Sequence, residues 1–110
     1  MNDFYRLNAE MKDNSLFIEI EGSITFKNFK HLQEEISNLT KENKFDKIVF
    51  NLKNLRHMNS SCVPIILNTT RDKFGIKQNY KDEVIILHNS EVIEKILKLF
   101  GDEYFTIKNF

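Results

Sequence analysis

The sequence predicts an α/β fold: a mixed, mostly parallel sheet with an antiparallel hairpin at its N-terminal edge and helices mainly on one face. Three observations carry this reading. Apolar residues alternate with polar ones at a period of two over 4–11 and 15–21, and again from Ile48. The period changes to three and four over 26–42 and again over 90–100. After the first pair of strands the two kinds of segment take turns along the chain, which implies parallel neighbours joined by right-handed crossovers.

The first strand is read at 4–11, FYRLNAEM, with Tyr5, Leu7, Ala9 and Met11 on one side. Lys12-Asp13-Asn14 has turn composition. The second strand, 15–21, puts Leu16, Ile18 and Ile20 on one face and Phe17, Glu19 and Glu21 on the other. Two such strands joined by a short polar turn form a hairpin. Gly22-Ser23-Ile24-Thr25 interrupts the alternation, and Thr25 is the expected cap of the helix that follows. That helix carries its apolar stripe on Phe26, Phe29, Leu32, Ile36 and Leu39 and ends near Asn43.

A third strand runs from Ile48 to Lys53, with its first half apolar on both faces, as in an interior strand. A polar turn follows, His57-Met58-Asn59-Ser60-Ser61-Cys62, and then an apolar helix beginning at about Ser60 or Ser61. Pro64 fits only the first turn of that helix, where its missing N–H has no partner to lose. Residues 75–83 read as a polar loop. Val84–Leu87 is a buried strand, Ser90 caps a helix with Val92, Ile93, Ile96, Leu97 and Phe100 as its stripe, and Gly101 stops it. Tyr104–Ile107 is the last strand.

At 110 residues the chain has room for one domain, 1–110. Its 16 basic and 16 acidic side chains cancel, which speaks against a general nucleic-acid binder. The single cysteine, Cys62, rules out an internal disulfide and paired-cysteine metal sites. No stretch approaches the 18 or so apolar residues of a membrane span. The expectation is a cytoplasmic protein with no direct membrane insertion, no cofactor and no metal.

The turn 57–62 concentrates the reactive side chains. In a sheet of this kind ligands and partners meet the ends where strands finish and helices begin. Ser23–Thr25, 57–62 and His88–Ser90 all fall at such ends. The plainest role for Ser60 or Ser61 is a helix N-cap. A second is regulatory phosphorylation, because a phosphate at a helix N-terminus meets free N–H groups and the positive end of the dipole. A third is a small hydrolase using Ser60 or Cys62 with His57 as base. It lacks an orienting carboxylate and a G-x-S-x-G elbow. Phosphate or nucleotide binding alone has no Gly-rich loop behind it, and His57 with His88 has no further metal ligands joined to it.

Three segments together resemble one family. Ile48-Val49-Phe50-Asn51-Leu52-Lys53-Asn54-Leu55 leads into Asn59-Ser60-Ser61-Cys62-Val63; Glu19–Thr25 forms an earlier loop; Ser90–Leu97 opens the final helix. In this order they are similar to the STAS domain of bacterial anti-sigma factor antagonists. The resemblance implies a non-catalytic regulator that binds an anti-sigma factor or switch serine kinase and is reset by a phosphatase. Carried over by position, the phosphorylated serine is Ser60, with Ser61 second. The expected partner surface is Ser23, Thr25, Lys27, Lys30, His57, Asn59, Ser60, Ser61 and Cys62. Asn59 stands where the family has an acid, Cys62 where it has glycine, and Thr25 where many phosphorylated members have Asp. These differences favour, as the alternative, a STAS binding module that is never phosphorylated and serves a stress-signalling or lipid-transport assembly.

Overall fold

In the computed structural model the described residues are 4–58, 84–88, 90–101 and 106–109. Their elements, in chain order, are β1 (Tyr5–Lys12), β2 (Ser15–Ile24), α1 (Phe29–Glu42), β3 (Lys47–Asn51), β4 (Leu55–Met58), β5 (Val84–His88), α2 (Glu91–Gly101) and β6 (Thr106–Asn109). The sheet runs β1-β2-β3-β5-β6, with β4 attached to β2. β1 is antiparallel to β2; every other pairing is parallel.

The hairpin closes as its sequence requires. Lys12 pairs with Ser15, leaving Asp13 and Asn14 as a two-residue loop. Both have positive φ, 51° and 65°. A type I′ turn needs that geometry, and Asp and Asn tolerate it better than other residues with a Cβ. The loop is tied to the start of β3 by the Asp46 N–H, which donates to the Asn14 carbonyl at 2.8 Å.

The register builds the core. Ile18 sits opposite Phe50, and Phe50 opposite Ile86, so one buried row crosses three strands. Leu16 opposite Ile48 makes a second row. Leu32 and Ile36 of α1, and Ile93 and Leu97 of α2, pack on the same cluster. Both helices therefore cover one face of the sheet. Burial of each such side chain contributes about 1.5–3 kcal/mol. Val49 is buried too, on the other face, which gives β3 the two-sided burial expected of an interior strand.

Several boundaries differ from the sequence reading. β2 does not stop at Glu21 but runs on to Ile24. The third strand ends at Asn51, because the Asn51 side-chain oxygen accepts a bond from the Lys53 N–H at 3.1 Å and turns the chain. A separate strand, β4, then forms from Leu55 to Met58, so His57 and Met58 are strand residues and not part of a turn. The last strand is shifted to Thr106–Asn109. The predicted helix after Ser60 and the loop 75–83 lie outside the described residues. No described helix is long and apolar enough to cross a membrane.

Candidate functional site

The site begins where β2 changes partner. Up to Glu19, β2 pairs with β3; from Gly22 it pairs with β4. The change is made by an irregularity in the register: Gly22 faces Leu55, but Ser23 faces His57, so Arg56 is an extra residue on β4. Gly22 has φ +97°. A Cβ there would lie 2.4 Å from the Phe4 carbonyl oxygen, so only glycine fits. The N–H of Ser23 then donates to that same carbonyl at 2.9 Å.

This arrangement brings Ser23 and His57 side by side at the ends of parallel strands. Immediately beyond, the chain from β2 makes a tight turn into α1. The Thr25 carbonyl accepts from the N–H groups of Asn28, at 3.3 Å, and Phe29, at 3.0 Å. The Thr25 hydroxyl accepts from the Lys27 N–H at 3.2 Å. The Asn28 side chain reaches backwards: its Oδ1 accepts from the Thr25 N–H at 2.9 Å, and its Nδ2 donates to the Ser23 carbonyl at 3.0 Å.

Thr25 therefore braces the turn before the helix and is not the helix cap. Asn28 holds the cap position, without a side-chain bond to the helix itself. The sequence reading does not single it out, although an Asn three residues after a Thr at a strand end carries the donor and acceptor that such a clasp needs. Phe26, placed by periodicity on the buried stripe, is 74% exposed. α1 starts only at Phe29, so the helical spacing from 26 to 29 is not in force. Lys27, Lys30 and His57 are exposed. Asn59, Ser60, Ser61 and Cys62 lie outside the described residues; they follow directly on Met58, the last residue of β4.

The third strand end has a different character. His88 is buried at the end of β5. Its Nδ1 accepts from the Ser90 N–H at 3.3 Å, and its Nε2 lies 3.9 Å from a Glu94 carboxylate oxygen. The Ser90 hydroxyl accepts from the Ile93 N–H at 3.4 Å, the N-cap expected for α2. His88 thus belongs to the packing of this helix start. Among the described residues no group of three or more His, Cys, Asp or Glu side chains is placed to hold a metal ion.

The family model of the STAS domain matches residues 6–101. The chain belongs to the STAS domain family. No curated protein matches it in sequence. Among solved structures it is similar to the anti-sigma factor antagonist SpoIIAA in its unphosphorylated form, at 19% identity and a TM-score of 0.73, covering 94% of this chain and 88% of that one. An anti-sigma factor antagonist from Mycobacterium paratuberculosis gives 16% identity and a TM-score of 0.79, covering 97% of this chain and 87% of that one. The Bacillus cell fate determinant SpoIIAA in its phosphorylated form gives 19% identity and 0.67, covering 94% and 91%. At these identities the structures establish a shared fold. The STAS match spans both the partner change of β2 and the segment that follows β4.

Proposed function

We propose that this STAS domain is a non-catalytic regulator of the anti-sigma-antagonist type, which binds a switch serine kinase or anti-sigma factor and is released by phosphorylation of Ser60. The observation that carries the reading is the pairing of β2 with β4. It gathers Ser23, the Thr25 turn and His57 at one sheet end, directly before Asn59–Cys62 in the chain. Two solved neighbours of the fold are named as anti-sigma factor antagonists, and one of them, SpoIIAA, is solved in both unphosphorylated and phosphorylated forms.

The physical mechanism needs one hydroxyl on the docking surface. While the Ser60 hydroxyl is unmodified the partner meets no added charge, and it docks. Phosphorylation adds nearly two negative charges and three acceptor oxygens. A partner surface built for the neutral hydroxyl then meets a charge it must desolvate, and affinity falls. A phosphatase restores docking. The switch draws on ATP held by its kinase, which places it in the cytoplasm.

Asn59 and Cys62 favour one further reading, a STAS module that binds without being phosphorylated. Titration calorimetry separates the two. Ser60→Ala and Ser60→Asp proteins are titrated into each purified histidine-kinase-like ATPase of the source genome. The switch predicts that Ser60→Ala binds one ATPase as the wild type does, and that Ser60→Asp binds at least about tenfold more weakly. Equal binding of the two variants favours the constitutive module.

A further inference from the structure

Phe26 is 74% exposed, yet its surroundings are ordered as if its position mattered. The Thr25 turn and the Asn28 clasp fix the backbone on both sides of it. Its ring stands edge-on to Phe29 at 6.5 Å between centroids and 85° between planes. Phe29 in turn packs against the hydrophobic core. An aromatic side chain held in this way loses little conformational freedom when a partner covers it. Buried aromatic anchors of this kind dominate the energetics of protein interfaces.

The charges beside it are also placed against local preference. The first turn of α1 contains no acidic residue. Lys30 lies in that turn and Lys27 just before it, both exposed. The positive end of the helix dipole disfavours cations at this position and favours Asp or Glu. Lys27 and Lys30 therefore add two positive charges to the positive end of the helix dipole, beside the exposed Phe26.

We propose that Phe26 is the anchor of a docking surface whose rim is Lys27 and Lys30, and that the occupant is a partner protein offering an apolar socket bordered by Asp or Glu carboxylates. The helix dipole and both lysines present one sign of charge, which an acidic rim complements and which steers its approach. A second copy of this chain is the wrong occupant, since a symmetric pairing sets the same lysines and the same dipole end against one another. The proposal rests on the partner-binding reading for the place of the surface and adds its chemistry.

Two measurements test it. First, the photo-crosslinker p-benzoylphenylalanine is placed at position 26 of the full chain, and separately at position 17 on the opposite face of the sheet, and activated in source cells. Cross-linked peptides are mapped by mass spectrometry. The expected result is a product at position 26 only, on a partner segment carrying both apolar and acidic residues. A product equal at position 17, no product, a basic segment, or a second copy of this chain overturns the proposal. Second, the mapped partner is purified and titrated with four variants. Phe26→Ala is expected to weaken binding by about tenfold or more, and Phe26→Trp to keep it within about threefold. The double variant Lys27→Glu, Lys30→Glu slows association and flattens its salt dependence. Phe17→Ala binds as wild type. Phe26→Ala binding within about twofold of wild type overturns the anchor, as does Phe26-dependent binding to vesicles of anionic phosphatidylglycerol in place of protein. If the partner is not a histidine-kinase-like ATPase, the kinase-switch reading fails and the docking surface stands. If such an ATPase binds and Phe26→Ala has no effect, the surface fails and the switch stands.

Discussion

Gly22 is the residue on which the site's geometry turns. Its φ is positive, and a methyl carbon added to it would sit 2.4 Å from the Phe4 carbonyl oxygen, which leaves no room for a side chain. Gly22→Ala is therefore expected to lower stability by at least about 2 kcal/mol, combining left-handed strain with backbone displacement. Urea denaturation checks this; a change under about 0.5 kcal/mol contradicts the geometry. Tyr5 offers a second test at this scale. Its phenol donates to the Glu35 carboxylate, and burial, that bond and the carboxylate's charge all push its ionisation above the usual tyrosine range. A proton held more tightly in the folded state means stability that is complete below about pH 10, the unfolded value, and declines as pH rises beyond it. Of the three tyrosines, one should ionise later than the others in an ultraviolet titration, and Tyr5→Phe should remove that late step. Simultaneous titration of all three contradicts the Tyr5–Glu35 contact.

At the scale of elements, the two described helix starts contrast. α2 has a serine cap and two acids in its first turn, Glu91 and Glu94. Ser90→Ala is expected to cost about 1 kcal/mol, read from the denaturation midpoint. α1 has neither a side-chain cap nor an acid. Lys30→Glu is expected to stabilise the protein by about 0.3–1 kcal/mol while weakening the partner, a combination that a purely structural lysine does not give. The elements also show what is legible in the chain. Strong periodicity announces β1, β2, α1, β3 and α2, because burial on one face writes itself into every second or every third and fourth residue, while β5 shows as a continuous apolar run, Val84–Leu87. β4 stays hidden: Leu55-Arg56-His57-Met58 is too short to show a period, and its pairing depends on a bulge at Arg56 and on Gly22, both set by tertiary contacts. Phe26 is misplaced by its spacing for a related reason, since periodicity does not say where a helix begins. Asn28 escapes a sequence reading because its bonds run backwards, to Ser23 and Thr25, rather than into the helix.

Across the whole molecule, one sheet face carries the core and one sheet end carries the proposed surface. Phe50 lies at the centre of the row from Ile18 to Ile86. Phe50→Ala is expected to cost about 3–5 kcal/mol, a large share of the 5–15 kcal/mol that holds a domain of this size together. The mixed sheet and the placement of both described helices on one face follow from the sequence, as does the STAS family itself. Topology locates the proposed partner end, while its detailed shape needs the β2–β4 register. Phosphate mapping puts the proposed switch at Ser60 to the test. The chain is incubated with ATP and each purified histidine-kinase-like ATPase of the source genome, then digested and sequenced by tandem mass spectrometry. The expected result is phosphate on Ser60 with one of these kinases, absent from the Ser60→Ala protein and removed by a phosphatase. No phosphate with any of them, or phosphate elsewhere with Ser60 untouched, contradicts it.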